Sequence, residues 1–318
     1  MTPAMIASIL AVTITAGTSL IFATIGAIYN ERSGIINLGI EGILLMSAMS
    51  AFAVAFHSES AWAGVITAMV VGALLASIHA FLTVTLRADQ VVSGLALTIF
   101  ATGLSSFLGQ RLGPNGTPLV GQIGPRFERI AIPVLSDLPI VGRALFNQDI
   151  LVYLMYIFVP ISAWYLYKTR PGLHLRAVGE SPQTADAKGI SPFRVRYIYT
   201  ILGGALVGLG AAHLSLSYTP GWTENLTGGR GWIVIALVIF AMWDPWRAVL
   251  GALIFGAINA ISFRLQALGA NIPSAFLAML PYAFTILVLT IITWRESQHK
   301  RVGAPAALGI PYTREEKH

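Results

Sequence analysis

The feature that most restricts this chain is a succession of apolar blocks, drawn at about 4–29, 35–56, 62–86, 91–110, 150–168, 196–218, 231–243, 246–262 and 276–294. Most have the roughly 20 residues that a helix needs to cross a hydrocarbon core about 30 Å thick. The seventh and eighth are shorter and separated only by Asp244-Pro245-Trp246-Arg247, which fits two tilted spans or one re-entrant hairpin buried among other helices. Charged residues make up 11% of the 318 positions, where soluble domains carry roughly a quarter, so the bilayer is the solvent. The expectation is a single transmembrane domain over residues 1–318: an all-α, polytopic helical bundle of about nine spans (eight to ten), with at least one broken helix.

The formal charge of +6 does not point to nucleic acid, because the basic residues collect at the ends of apolar blocks, where they act as topology signals. The stretch from Ala4 to Tyr29 lacks a basic leader and is followed at once by further apolar blocks, so it reads as the first span rather than a cleaved signal. The 169–195 loop and its flanks hold Lys168, Arg170, Arg176, Lys188, Arg194 and Arg196 against Glu180 and Asp186, which predicts a cytoplasmic loop. Four spans later the basic C-terminal tail falls on the same side. The 111–149 connection is then external, and its Pro114-Asn115-Gly116, Gly124-Pro125 and Pro139 favour an irregular cap. With no cysteine in the chain there is no disulfide and no thiolate metal site.

Within the cytoplasmic loop, Ser181 is placed to cap a helix, Pro182 suits its first position and Gly189 can end it. A helix this short is marginal alone in water, so something packs against it. Glu41 is the sharpest single residue, since an ionisable group inside an apolar block costs several kcal/mol unless paired and is usually functional. Asn37 lies four residues earlier, which on a continuous helix puts both on one face. They fit a polar patch on a transport path or a hinge, or else an acceptor that ties helix ends together. Trp222, Glu224 and Asn225 fall in an external segment and suit an interfacial belt, an outer gate or a surface for a substrate-delivering protein. His79 and His213 have no partners at metal-ligand spacing and read as packed histidines rather than ligands. Gly203, Gly204, Gly208 and Gly210 suit close helix packing.

No Gly-rich phosphate loop ends in Gly-Lys and Ser or Thr, since the four lysines are Lys168, Lys188, Lys300 and Lys317. No Ser/His/Asp set or carboxylate pair is spaced for hydrolysis, so the chain is not expected to be an enzyme. The runs 31–42, beginning Glu31-Arg32-Ser33-Gly34, 172–180 with Gly172-Leu173-His174-Leu175-Arg176, Gly228-Gly229-Arg230-Gly231-Trp232, and Ala307-Leu308-Gly309-Ile310-Pro311-Tyr312 resemble the permease subunits of simple-sugar and nucleoside ABC importers, which are related to the branched-chain amino acid permeases. The first and last resemble the nucleoside-type branch most.

The resemblance implies a multi-pass protein of the bacterial inner membrane with a cytoplasmic C-terminus, importing nucleosides, or simple sugars second, by ATP-driven alternating access. It implies an ABC ATPase partner, a second permease, identical or related, and a periplasmic or lipoprotein substrate-binding protein. ATP and Mg would sit on the ATPase, with no cofactor on this chain. The ATPase would dock on a coupling segment containing Ala177, Val178, Gly179, Glu180, Ser181, Ala185, Asp186, Gly189 and Ile190. The rival is a gradient-driven secondary transporter, which needs proton or ion sites that a single clearly intramembrane acid does not supply.

Overall fold

The computed structural model describes residues 3–267 and 303–314 and, between them, only Pro273, Phe276, Met279, Leu280, Tyr282, Ala283, Phe284, Ile286, Leu287, Thr290 and Trp294. The first half holds α1 (Pro3–Arg32), α2 (Ile40–Ser58), α3 (Ala61–Ala80) and α4 (Gln90–Gly109). An irregular connection follows, with a two-stranded hairpin of β1 (Ile130–Ala131) and β2 (Asn147–Gln148) around α5 (Val141–Leu145). The second half holds α6 (Ile150–Lys168), α7 (Arg170–Glu180), α8 (Pro182–Ala187), α9 (Pro192–His213), α10 (Arg230–Ala241) and α11 (Pro245–Ala267). Single π-helical turns, Phe81–Thr85 and Leu214–Tyr218, extend α3 and α9.

Seven of these helices are long and apolar enough to span a bilayer. The seventh apolar block is different: α10 has 12 residues, about 18 Å of helix, too short to cross alone. The eighth corrects the sequence reading in the other direction, because α11 runs 23 residues and carries on through the polar Arg264 and Gln266 where the apolar block was taken to stop. The ninth block, 276–294, lies mostly outside the described residues. The count of about nine therefore stands as an approximation.

Local chemistry starts the helices where they start. Asp89 Oδ1 accepts the Val92 amide at 2.8 Å, and Asp149 Oδ1 accepts the amides of Leu151 and Val152 at 2.9 and 3.2 Å. Each satisfies helix donors that have no partner within the helix. Lateral packing depends on small residues. A Cβ on Gly204 would collide with Ala76 and the Gly72 carbonyl, and one on Gly208 with the Ala68 carbonyl, so α3 and α9 meet almost backbone to backbone. On its other side α3 exposes Trp62, Ile66, Val70, Leu74 and Ile78, a ridge of every fourth residue that suits acyl chains.

The bundle has two distinguishable ends. The N-terminal half of α1 meets the connection, where Thr15 donates to Gln148 Oε1 and Gln148 Nε2 donates to the Ala11 carbonyl; this is the mouth end. Arg32, α7, α8 and the 303–314 tail gather at the opposite end, labelled the coupling end for the segment that the resemblance implies docks an ATPase. The basic loop and the described part of the tail thus share one end, opposite the connection and the start of α1.

Replacing Gly204 with Val should cost about 1–3 kcal/mol by overpacking, seen as a lowered unfolding temperature in detergent. An unchanged midpoint would contradict the close α3–α9 contact.

Candidate functional site

Two interruptions of helix meet inside the bundle. The first is the 33–39 segment between α1 and α2. In a bilayer its backbone groups have no water to turn to, and the protein supplies partners from three helices, α3, α4 and α9. The Ile36 amide donates to Gln90 Oε1 at 2.7 Å and the Ile36 carbonyl accepts from His79 Nε2 at 2.9 Å. The Leu38 carbonyl accepts from Thr98 Oγ1 at 2.9 Å, and the Ser33 carbonyl from Arg196 Nε at 3.2 Å. Because a carbonyl only accepts, His79 carries its proton on Nε2, leaving Nδ1 to accept from Ser93 Oγ at 3.0 Å. Both ring nitrogens are thus engaged.

Asn37 does not share a helical face with Glu41 as the spacing of four predicts. Helix α2 begins only at Ile40, and Asn37 Oδ1 instead accepts the Gly39 amide at 2.8 Å. An Asn side chain that bonds the backbone two residues on makes a turn of its own, which competes with the helix. Its Nδ2 is buried without a partner among the described residues.

The second interruption is the 219–229 segment. It leads into α10 through Gly229, whose φ of +83° favours glycine. Glu41, 4% exposed, joins the two. Its Oε1 accepts the Thr227 hydroxyl at 2.5 Å and the Gly229 amide at 3.1 Å, and its Oε2 accepts the Gly231 amide at 2.5 Å. A carboxylate at a helix N-terminus meets free donors and a favourable dipole. Tyr282 closes the other side by donating to the Gly228 carbonyl at 2.8 Å. This junction lies deep in the bundle: Arg230 Nη1 reaches the Ala16 carbonyl and Ser19 Oγ, both at 3.3 Å, near the middle of α1. The other end of α10 is pinned at the coupling end, where Trp243 Nε1 donates to Glu31 Oε2 at 2.6 Å.

Trp222, Glu224 and Asn225 stand apart from Glu41, at the mouth end. Trp222 is buried with its ring against Gly109, while Glu224 and Asn225 are exposed. Gln110 Nε2 reaches Glu224 Oε2 at 3.5 Å. Trp222 lines a cavity of about 420 Å³ together with Gly121, Gln122 and Leu226.

At the coupling end, Ser181 caps α8 by accepting the Thr184 amide at 3.3 Å, Pro182 takes its first turn, and Gly189 follows it with a φ of +82°. Its predecessor α7, capped by Thr169 with Pro171 in its first turn, went unread in the sequence although those start signals were present. Val178, Gly179 and Ala185 are buried against the chain's own fold; Glu180 and Gly189 are exposed, and Ala177, Ser181, Asp186 and Ile190 are half-buried. The tail is strapped over them. The Ala307 amide donates to the Gly179 carbonyl at 2.8 Å, the Gly309 amide to the Gly34 carbonyl at 3.1 Å, and Arg314 pairs with Asp186 at 2.9 and 3.1 Å. Arg196, 1% exposed, binds the Ser33 carbonyl and also the Ile310 carbonyl at 3.0 Å. In the sequence it reads as a topology charge; its position at the start of an apolar block is the available signal of burial.

Two outcomes are expected. Glu41→Ala removes the acceptor of three donors, each worth about 1–3 kcal/mol when left buried and unmet, so the unfolding temperature should fall far more than in Glu41→Gln, which keeps one acceptor oxygen. Equal melting of both would dissociate Glu41 from the junction. The Arg314 hydrogen bond holds the Asp186 carboxyl below the usual aspartate range. A depressed carboxylate contributes in full above its unfolded value, near pH 4, and loses that contribution as pH falls through the lower folded value. Protease protection of the tail should therefore be flat from about pH 8 to 5 and drop only below about pH 4, whereas Arg314→Ala should lower it throughout; a loss between pH 7 and 5 would contradict the pairing.

Comparison with known proteins supplies the frame for this geometry. Residues 8–292 match the family described as branched-chain amino acid transport system, permease component. A Haloferax volcanii chain whose name provisionally assigns it as a glucose ABC transporter permease is 37% identical, over 97% of this chain and 98% of its own. The nucleoside ABC transporter permease NupC of Lactococcus lactis is 37% identical over 93% of both chains. The guanosine ABC transporter permease NupQ of Bacillus subtilis is 33% identical over 92% of both. These relatives are transport subunits rather than enzymes, and an ABC permease works with an ATPase and a substrate-binding protein. With the family match running across nearly all the spans, the chain belongs to the branched-chain amino acid transport permease family and is the multi-pass, membrane-spanning permease subunit of an ABC importer.

Proposed function

We propose that this subunit imports nucleosides, with simple sugars the second choice of cargo, by alternating access driven from separate ATPase subunits in the cytoplasmic membrane of a bacterium. Two relatives named for nucleoside or guanosine transport support the cargo. The observation that carries the coupling half is the continuous hydrogen-bonded route from α7 through the tail and Arg196 to residues 33–34, where the interrupted segment leading to Glu41 begins. A push on the coupling helices reaches the junction by that route.

In this reading the coupling end, with the C-terminus, is cytoplasmic. The ATPase docks on the face formed by the exposed Glu180, Gln183, Thr184, Ala187, Lys188 and Gly189, while Val178, Gly179 and Ala185 carry load inward. ATP and Mg are bound by that partner, and this chain holds no cofactor. A second permease, the same or a related chain, completes the membrane unit. A periplasmic or lipid-anchored binding protein delivers substrate at the mouth end, near Trp222, Glu224 and Asn225. Asn37, with its unpartnered amide, and Glu41 form the inner gate, which opens when α10 tilts away from α2.

The experiment is purification of tagged chain in mild detergent with its native partners, followed by ATPase assay with binding protein and either guanosine or glucose. Stimulation by guanosine and not by glucose is expected; stimulation by glucose alone would overturn the cargo. Gln183→Arg and Lys188→Glu together should reduce recovered ATPase without changing membrane insertion, and full recovery would displace the docking face.

A further inference from the structure

A cavity of about 710 Å³ opens at the mouth end, apart from the Trp222 cavity and sharing only the Thr219-Pro220 wall with it. Its walls are Val12 and Thr15 of α1, the 126–129 stretch of the connection, Asp149, and Ser217 and Tyr218 from the π-helical end of α9. Small-molecule sites fall in a range of about 300–1,000 Å³, so this one has room for a drug-sized ring system and some water. Its lining charges balance, with Arg126 and Arg129 against Glu128 and Asp149. Asp149 is further committed to the N-terminus of α6 and to His213, whose Nε2 lies 3.5 Å from its Oδ2. An anion therefore gains little there over a neutral ligand.

What lies inward of this cavity is unusual for the middle of a bilayer. Arg230 stands over the Tyr218 ring, its guanidinium carbon 4.8 Å from the centroid. Among the described residues only its Nη1 forms hydrogen bonds, to Ala16 and Ser19, and no carboxylate forms an ion pair with it. An intramembrane guanidinium in that state is costly and marks a function, and among the described residues its Nε and Nη2 donors have no hydrogen-bond acceptor. Thr15 lines the cavity, and Ser19 lies one helical turn deeper on α1, about 6 Å on. Arg230 thus sits about one helical turn inward of Thr15, next in sequence to the Gly229 and Gly231 amides that Glu41 holds.

We propose that this cavity is the outer substrate vestibule, with Tyr218 in its wall and Arg230 just inward against that ring, and that the two bind an uncharged, hydroxylated ligand with an aromatic ring, as in a nucleoside. The ring packs on Tyr218, and the carbonyl or hydroxyl oxygens accept from Arg230. The ligand class rests on the cargo reading given above; the location of the site does not.

The test separates the two. The chain contains no cysteine, so Val12→Cys gives a single thiol on an apolar wall of the vestibule. In the assembled importer, in right-side-out vesicles, its labelling by a membrane-impermeant thiol reagent is followed with and without saturating guanosine or glucose, alongside uptake of each. Guanosine uptake with labelling slowed about tenfold or more is expected, as is a rise of similar size in the guanosine concentration for half-maximal uptake by Arg230→Gln, the loss of one charge-assisted hydrogen bond. Tyr218→Phe should transport like the native chain and Tyr218→Leu should not. Guanosine uptake with an unchanged labelling rate overturns the vestibule. Glucose uptake alone, with labelling slowed by glucose, keeps the vestibule and overturns its ligand class. Should Arg230→Gln fail to assemble, the Val12→Cys labelling decides alone.

Discussion

Everything deep in this bundle depends on one condition: a helix interrupted inside a membrane must find hydrogen-bond partners for its freed backbone groups within the protein. The 33–39 segment finds them in Gln90, His79, Thr98 and Arg196, each from a different place in the chain. The entry to α10 finds them in Glu41 and Tyr282. A charged side chain is what the second break requires, because two amides and a hydroxyl converge on one point and only a carboxylate presents two acceptor atoms with spare lone pairs. The cost of an acid in the bilayer is offset by these donors and by the dipole of α10.

That arrangement suits motion. The two broken segments are held to each other by side-chain hydrogen bonds rather than by a continuous helix, so α10 can separate from α2 by exchanging a few bonds instead of unwinding a ladder. The outer part of the bundle has no such freedom. Where α3 and α9 touch backbone to backbone at Gly72, Gly204 and Gly208, any slide would meet hard atoms, so the pair forms a rigid frame. A transporter needs both kinds of contact: a frame that keeps its shape and a small set of bonds that can change partners.

Much of the architecture was legible because it is written locally. Block length, few charges and the glycine spacing of α9 need no long-range information, and neither do the Ser181, Pro182 and Gly189 signals around α8. The gaps have physical causes. Asn37 was assigned to a helical face because spacing was read without asking whether its side chain would take the Gly39 amide and delay the helix. The length of α11 was underestimated because Arg264 and Gln266 end the apolar run without ending the helix. Arg196 looked like one more basic residue of a cytoplasmic loop, and nothing in its neighbours says that two carbonyls 277 positions apart, those of Ser33 and Ile310, converge on it. That a residue of the 31–42 run would cap the helix opened by the 228–232 run follows only from the fold.

The tail shows how a short segment can acquire a task out of proportion to its length. Residues 303–314 form no long helix, yet they bury Ala307 and Tyr312 and their backbone bonds to Gly179 in α7 and to Gly34 beside the first break. The exposed Asp186–Arg314 pair adds little energy by itself, as surface ion pairs do. Its bidentate geometry instead fixes where the strap ends, and therefore the register of the backbone bonds that precede it. Backbone bonds from one short run of turns to two separate elements hold a distance, so α7 cannot move away from Gly34 without breaking them. A displacement of α7 would thereby reach the beginning of the 33–39 segment rather than dissipate in a flexible loop.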